Sequence, residues 1–159
     1  MAEPIARVGL GFDVHRWAPE RELWLGGVRF EDESGLAGHS DGDAVCHAVA
    51  DALLGAVALG DIGRHFPDTD PSLAGIAGVE LLSRTLRLVR GAGGVPTSVD
   101  VTVVCERPAI APRRGDMRAA LAAALGLEVE RVSVKATRPE GLGLAGDGVG
   151  CLAVAMVSV

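Results

Sequence analysis

The last nine residues of the chain, CLAVAMVSV (151–159), restrict its fold more than any other segment does. Nearly every position is apolar, so a strand over these residues would present apolar side chains on both of its faces. A strand of this kind is stable where both faces of its sheet are covered. We therefore expect a sheet with helices on one face and a second covering layer on the other, which a sister subunit would supply.

Apolar periodicity predicts the remaining elements. Strands are expected over 6–12, 23–30, 98–106 and 131–137, and helices over 41–59, 79–89 and 114–126. Ser40 is the predicted N-cap of the first helix. The resulting order, β-β-α-α-β-α-β-β, indicates an α+β fold with a mixed β-sheet and helices packed on one face. The whole chain, 1–159, is expected to form a single domain.

The composition narrows the classes of function. No apolar run reaches the ~18 residues of a membrane span, and the N-terminal residues lack the basic and apolar regions of an export signal. The arginines are scattered and the formal net charge is −6, which argues against a nucleic-acid partner. The three cysteines, Cys46, Cys105 and Cys151, form no CxxC pair, as expected of reduced thiols in a cytoplasmic protein.

Three polar residues have the spacing of a metal site. Asp13 and His15 stand two residues apart in GLGFDVHRW, at the end of the first predicted strand. Residues i and i+2 of a strand share a face, so the carboxylate and the imidazole point the same way. His47 lies on the first predicted helix, and three protein ligands that leave a fourth position open are typical of a catalytic zinc. Asp51, four residues after His47, is predicted to orient its imidazole.

Other interpretations of these residues stay open at this point. A single histidine on a helix is most often a surface residue or a hydrogen-bonded core residue. Two histidines and one carboxylate also suit non-haem iron, although that centre usually lies on an all-β scaffold. Cys46 is next to His47 in sequence but is turned away from it on the helix, so we do not count it as a ligand.

The segment GLGLAG (141–146) matches the GxGxxG pattern of dinucleotide-binding loops. It follows a predicted strand, but a second strand-like run comes next instead of a helix, and no acidic residue lies ~20 positions further on. We interpret its glycines as allowing a tight turn, or a close approach of the backbone to a ligand.

Seven short motifs in one order resemble the 2-C-methyl-D-erythritol 2,4-cyclodiphosphate synthase family: GFDVH, HSDGD, DALLGA, LGDIG, FPDTDP, KAT and GLGL. The resemblance runs from residue 7 to the end of the chain. It implies a homotrimer with active sites between neighbouring subunits, so the free sheet face would lie toward the trimer axis. It also implies a phosphorus-oxygen lyase of the non-mevalonate isoprenoid pathway.

In the implied reaction, the 2-phosphate of 4-diphosphocytidyl-2-C-methyl-D-erythritol 2-phosphate attacks the β-phosphorus of the same molecule. CMP leaves and 2-C-methyl-D-erythritol 2,4-cyclodiphosphate forms. The nucleophile is already a phosphate, so no activated serine, cysteine or lysine is required, and no Ser/His/Asp arrangement is expected. Catalysis of phosphoryl transfer rests mostly on positioning and on neutralisation of charge.

The resemblance implies two metals and a large set of binding residues. Zinc, or another divalent transition metal, would bind once per subunit at Asp13, His15 and His47. Glu140 would hold magnesium or manganese on the substrate diphosphate. The candidate catalytic residues are His39 and Arg138. The candidate substrate-binding residues are Asp13, Val14, His15, His39, Ser40, Asp61, Ile62, Gly63, Phe66, Pro67, Asp68, Thr69, Asp70, Cys105, Pro108, Ala109, Ile110, Ala111, Thr137, Arg138, Pro139, Glu140 and Leu144.

Parts of this set would meet different parts of the substrate. Residues 61–63 and 66–70 would contact the methylerythritol unit, whereas residues 105–111 and Thr137 would surround the cytidine diphosphate. His39 and Ser40 are expected at the start of the first helix, where backbone N–H groups favour anions.

Three positions depart from the family pattern. Ala109 stands where a lysine is common, Arg138 and Pro139 replace two polar residues after Thr137, and Asp147 stands where an arginine is common. We hypothesise that Arg138 supplies the charge missing at Ala109, because a guanidinium binds phosphate oxygens in pairs. A solvent-facing Arg138 is the alternative. The departures keep two other functions open: a metal-binding regulatory trimer without turnover, and a zinc-dependent phosphoester hydrolase.

Overall fold

A five-stranded mixed sheet forms one layer of the computed structural model, which describes residues 3–143 and 147–159. The strand order is β4-β1-β7-β5-β6. β5 and β6 are parallel, and the other neighbouring pairs are antiparallel. The strands are β1 (Ala6–Ala18), β4 (Gly35–Leu36), β5 (Val95–Val104), β6 (Val132–Thr137) and β7 (Gly148–Ser158), and a separate hairpin consists of β2 (Leu23–Leu25) and β3 (Val28–Phe30).

The helices form the second layer, as the α+β prediction requires. They are α1 (Ala44–Ala56), α2 (Ile62–His65), α3 (Gly78–Gly91) and α4 (Arg114–Leu125). α1 packs on β1 and β7, α3 packs on α1, and α4 packs on β6. No helix in the described ranges is long and apolar enough to cross a bilayer.

Several boundaries differ from the sequence-based prediction: β1 continues to Ala18, so Asp13 and His15 lie within the strand instead of at its end. Two further differences concern the hairpin and α1. The predicted strand 23–30 is a hairpin, because Gly26 and Gly27 adopt positive φ angles and turn the chain between β2 and β3. α1 begins three residues later than predicted, and its N-cap is Asp43 instead of Ser40. The buried Asp43 carboxylate accepts two first-turn N–H groups of α1 and, at 2.8 Å each, the N–H groups of Gly26 and Gly27. It therefore joins the helix start to the hairpin turn.

Glycines of β1 set the distance between the sheet and α1. A Cβ atom on Gly9 would overlap the carbonyl oxygen of Ala52, and one on Gly11 would overlap that of Ala48. Only glycine permits this close approach of two backbones. α1 therefore rests directly on the main chain of β1, on the same strand face that carries Asp13.

The opposite face of β1 and β7 is apolar and exposed in the single chain. Leu10 is 67% exposed and Val8 is 64% exposed, and they pair with Val154 and Met156 of β7, each 39% exposed. In the described part of the chain no helix covers this side. The second covering layer expected for the last strand would therefore have to come from another subunit. Contiguous exposed apolar surface of this kind is typical of an interaction site.

Candidate active site

The structure brings the three predicted metal ligands together. Asp13 and His15 share one face of β1, and His47 reaches them from α1. Asp13 Oδ2 lies 2.7 Å from His15 Nε2 and 3.3 Å from His47 Nδ1, and the two nitrogens are 3.2 Å apart. The three atoms thus form a small triangle that opens toward a cavity.

The hydrogen bonds behind the two imidazoles determine which nitrogens are available. His15 Nδ1 lies 2.5 Å from the carbonyl oxygen of Ala37, so Nδ1 carries the proton and donates it. His47 Nε2 lies 3.0 Å from Ser40 Oγ, which also accepts the N–H of Gly42. With protons on these outer nitrogens, His15 Nε2 and His47 Nδ1 direct lone pairs at each other and at the carboxylate of Asp13.

Three acceptors that converge in this way suit a cation. Asp13 Oδ2 is buried and, within the described ranges, has no hydrogen-bond donor in suitable geometry. Ligand atoms ~2.0–2.1 Å from a tetrahedral zinc lie roughly 3.3 Å from one another. Two of the three separations here are 3.2 and 3.3 Å, and the third, between Asp13 Oδ2 and His15 Nε2, is shorter at 2.7 Å. The donor set therefore fits a divalent transition metal with an open position.

The electrostatics of the three side chains agree with this interpretation. Burial alone would raise the pKa of the Asp13 carboxyl, but the imidazoles of His15 and His47 hold this pKa below its usual value. Burial disfavours the charged form of His15, yet the adjacent Asp13 carboxylate raises the pKa of this imidazole above its usual value. The two shifts have one cause: the ionised Asp13 carboxylate and positive charge beside it stabilise each other.

The first cavity joins the triangle to the predicted methylerythritol-binding loops. It has a volume of about 340 Å³. Its lining residues are Asp13, His15, His39, Ser40, His47, Ile62, Gly63, Phe66, Pro67, Asp68, Leu73, Ile76 and Leu81. Ten of these thirteen are predicted site residues, and Leu73, Ile76 and Leu81 add an apolar wall that the sequence analysis missed.

A second cavity gathers the predicted nucleotide-binding residues. It has a volume of about 230 Å³ and shares no lining residue with the first. Its lining residues are Cys105, Glu106, Pro108, Ala109, Ile110, Ala111, Arg114, Ala136, Thr137 and Arg138. Burial, with the carboxylates of Glu106 and Glu33, raises the pKa of the Cys105 thiol to about 11, so this thiol is not a ready nucleophile.

Several predicted residues lie outside both cavities. The Val14 side chain is 48% exposed on the apolar sheet face. Asp61 caps α2, and Asp70 caps the short turn at Pro71. The remaining predicted residues that line neither cavity are Thr69, Pro139 and Glu140. Leu144 lies outside the described residues.

The sequence-based account of the residues around His47 needs three corrections. Ser40, not Asp51, hydrogen-bonds His47, because the Asp51 carboxylate accepts the N–H of Ile62 at 2.8 Å. His39 and Ser40 precede α1, and Asp43 occupies the first-turn N–H groups that an anion was expected to use. His39 Nε2 instead donates to the carbonyl oxygen of Asp70 at 3.1 Å.

A Ser/His/Asp arrangement does occur, contrary to expectation. Ser40 Oγ, the ring of His47 and the Asp13 carboxylate follow one another as in a serine hydrolase. However, His15 Nε2 lies against the same ring nitrogen of His47 that Asp13 approaches. Ser40 is only 5% exposed, and its oxygen is already engaged by Gly42. These contacts favour Ser40 as a partner that orients a metal-binding imidazole.

The fold and the site together define an α+β protein with an Asp–His–His cluster that could hold a metal ion, beside a ligand-sized cavity. The sequence matches the YgbB family over residues 6–159, and the chain belongs to this family. The resemblance drawn from the seven motifs is thereby confirmed.

The proteins similar to this chain include synthases of about the same length and longer bifunctional enzymes. The chain is 50% identical to the 2-C-methyl-D-erythritol 2,4-cyclodiphosphate synthase of Trichlorobacter lovleyi, over 95% of this chain and 96% of that protein. It is 51% identical to the bifunctional enzyme IspD/IspF of Caulobacter vibrioides, over 98% of this chain but only 41% of that longer protein.

Solved structures similar to this chain also include both a separate synthase and a longer bifunctional enzyme. A 2C-methyl-D-erythritol-2,4-cyclodiphosphate synthase structure, described as a bound form with CDP, is 36% identical with a TM-score of 0.88. This match covers 95% of this chain and 99% of that one. The bifunctional IspDF of Campylobacter jejuni is 36% identical with a TM-score of 0.93, over 98% of this chain and 43% of that one.

Proposed function

We propose that the chain converts 4-diphosphocytidyl-2-C-methyl-D-erythritol 2-phosphate to 2-C-methyl-D-erythritol 2,4-cyclodiphosphate and CMP. The observation that carries this proposal is the triangle of Asp13, His15 and His47 at the wall of the first cavity. Identities near 50% to synthases of the same length support it. The step would belong to the non-mevalonate route to isoprenoid precursors, in a cytoplasmic protein with one domain.

The proposed step forms one P–O bond and breaks another. An oxygen of the 2-phosphate attacks the β-phosphorus, and the bond from that phosphorus to the bridging oxygen of CMP breaks. A divalent cation held by Asp13, His15 and His47 would polarise a phosphate oxygen. Residues that line the two cavities would bind and align the two phosphates. The apolar wall of the first cavity would hold the methylerythritol unit away from water.

We also propose that Glu140 binds a second metal ion, magnesium or manganese, together with the substrate diphosphate. Hard cations such as magnesium prefer carboxylate and phosphate oxygens, and they usually bind through one or two carboxylates plus substrate phosphates. Glu140 is exposed just beyond β6, where the chain turns with a positive φ. Its carboxylate would therefore need the substrate diphosphate to complete the metal site.

The two cavities also support a trimer. One holds the triangle and the other holds the proposed nucleotide residues, yet they share no lining residue. A single substrate would contact both if the first cavity of one subunit lay beside the second cavity of its neighbour. The exposed apolar face around Leu10 and Met156 supplies a surface for that association.

The proposal is tested by incubating the purified chain with the named substrate, zinc and magnesium, and by identifying the products. Stoichiometric CMP and cyclic diphosphate are expected. CMP with a linear product would indicate the zinc-dependent hydrolase instead, and metal binding without CMP release would indicate a regulatory trimer.

Ser40→Ala distinguishes the two roles of this serine. Release of CMP should survive in reduced form if Ser40 orients His47, whereas a serine-hydrolase mechanism would lose nearly all of its rate.

A further inference from the structure

The segment from Ala37 to Ser40 holds both metal-site histidines from behind. Its first residue provides the carbonyl oxygen that accepts from His15 Nδ1. Its last residue provides the hydroxyl that contacts His47 Nε2. The orientation of both imidazoles therefore depends on one short irregular segment between β4 and α1.

Arg21 fixes this segment with its side chain. Its Nη1 donates to the carbonyl oxygen of Gly38 at 2.5 Å, and its Nη2 donates to the carbonyl oxygen of Ser40. The main chain of Arg21 is anchored as well, since its carbonyl oxygen accepts the N–H of Gly35 at 2.8 Å and its own N–H donates to Ala18. Arg21 thus joins the turn after β1 to the segment behind the histidines.

The guanidinium group suits this task for two reasons. Its rigid fork can donate to two carbonyl oxygens at once, which the single ammonium of lysine does with less geometric precision. Among the residues that the structure describes, Arg21 makes no ion pair with a carboxylate. Its side-chain hydrogen bonds there go to the backbone of this one segment.

We propose that Arg21 is a positioning residue of the metal centre, which holds both imidazoles in their metal-binding orientation without touching the metal. This role rests on the proposed metal function of Asp13, His15 and His47. Partners that orient metal ligands from outside are worth roughly 10–100-fold in metal affinity. A loss at the lower end of this range is expected here, because Arg21 acts one hydrogen bond further out.

The test measures zinc affinity by chelator competition for the wild type, Arg21→Ala, Arg21→Lys and a matched control, Arg29→Ala. Arg29 lies on β3 of the hairpin that follows Arg21 in the chain. Its side chain is half exposed and forms an ion pair only with Glu22 within the described ranges. We expect a roughly tenfold weaker zinc affinity in Arg21→Ala, a smaller loss in Arg21→Lys, and wild-type affinity in Arg29→Ala.

The absorption spectrum of the cobalt-substituted protein provides the second readout. It reports ligand geometry, so it should change in both Arg21 variants and stay constant in the control. Wild-type zinc affinity and spectrum in the Arg21 variants would overturn the role. If Arg21→Ala does not fold, the zinc affinity of Arg21→Lys tests the role, because lysine keeps the positive charge but lacks the guanidinium group that donates to two carbonyl oxygens. A wild type that binds neither metal would overturn the metal centre itself, and this role with it.

Discussion

His15 Nε2 and His47 Nδ1 face each other at 3.2 Å, with their rings tilted by 58°, although 32 residues separate them in the chain. On the far side, His15 donates its Nδ1 proton to the carbonyl oxygen of Ala37, and the hydroxyl of Ser40 can accept a proton from His47 Nε2. Two nitrogen lone pairs and the Asp13 carboxylate then share one small space. Such a group is stable when a cation, or an additional proton, lies between its members.

Replacement of His47 should abolish stoichiometric zinc binding. His47→Ala removes one of three ligands and leaves the other two on β1, so zinc measured by elemental analysis should fall well below one per subunit. His65→Ala is the control, because His65 contacts the carbonyl oxygen of Leu59 and lies outside the triangle. Full zinc occupancy in His47→Ala would contradict the assignment.

Removal of the metal should lower the thermal stability. A ligand that binds only the native state stabilises it by about 2.7 kcal/mol when present at 100 times its Kd. We expect a strong chelator to lower the Tm of the wild type in differential scanning calorimetry. The same chelator should leave the Tm of His47→Ala unchanged, and equal shifts in both proteins would argue against a specific site.

Gly11→Ala should impair both folding and metal binding. Its Cβ would overlap the backbone of α1 at Ala48, and overpacking of this kind typically costs about 1–3 kcal/mol. Because α1 would move away from β1, zinc affinity should fall as well. Denaturant unfolding and chelator competition measure the two effects.

A second glycine provides the control for that prediction. Gly55 lies on the exposed side of α1, and an added Cβ would meet nothing within 4 Å. Gly55→Ala should therefore stabilise the protein by about 0.5–1 kcal/mol through helix propensity. Zinc affinity should be unchanged in this variant, and a Gly11→Ala protein that behaved in the same way would disprove the close-packing argument.

Leu10→Asp should dissociate the proposed trimer. Leu10 is 67% exposed in the single chain, so a charge there would be harmless in a monomer but would be buried in an assembly that covers this face. Light scattering should show a lower mass than that of the wild type. Ala119→Asp, on the exposed side of α4, should keep the wild-type mass, and an unchanged mass in Leu10→Asp would exclude this face as the interface.

Arg138→Ala should lower kcat/KM for CMP release at least tenfold, which corresponds to about 1.4 kcal/mol of transition-state stabilisation. Arg138 lines the second cavity with Arg114, and Ala109 contributes no charge there. Zinc content should not change, and Ala109→Lys should restore part of the loss. Wild-type kcat/KM in Arg138→Ala would show that Arg138 faces solvent.

The sequence predicted the grouping of Asp13, His15 and His47 well because two periodicities place these residues. The two-residue repeat of a strand puts Asp13 and His15 on one face, and the helical pattern brings His47 onto the side of α1 that faces the sheet. Both rules depend on nearest neighbours in regular elements. They require no knowledge of how distant segments meet.

The contacts that the sequence analysis missed belong to irregular or long-range structure. Ser40 and Arg21 act from segments without periodicity, so neither their partners nor their directions could be inferred. Asp43 was missed as an N-cap because two of its hydrogen bonds go to a hairpin seventeen and sixteen residues away. The apolar pattern of the last strand indicated a second covering layer, but it could not show whether that layer comes from the same chain or from a partner.

The backbone contact between β1 and α1 has a consequence for how this protein tolerates mutation. At Gly9 and Gly11 the spacing is set by main-chain atoms instead of by interlocking side chains. Substitutions elsewhere in the core can therefore loosen or tighten the packing while the distance from His47 to the strand stays nearly constant. The stability of the protein can therefore change during evolution while the arrangement of Asp13, His15 and His47 is preserved, provided that both positions remain glycine.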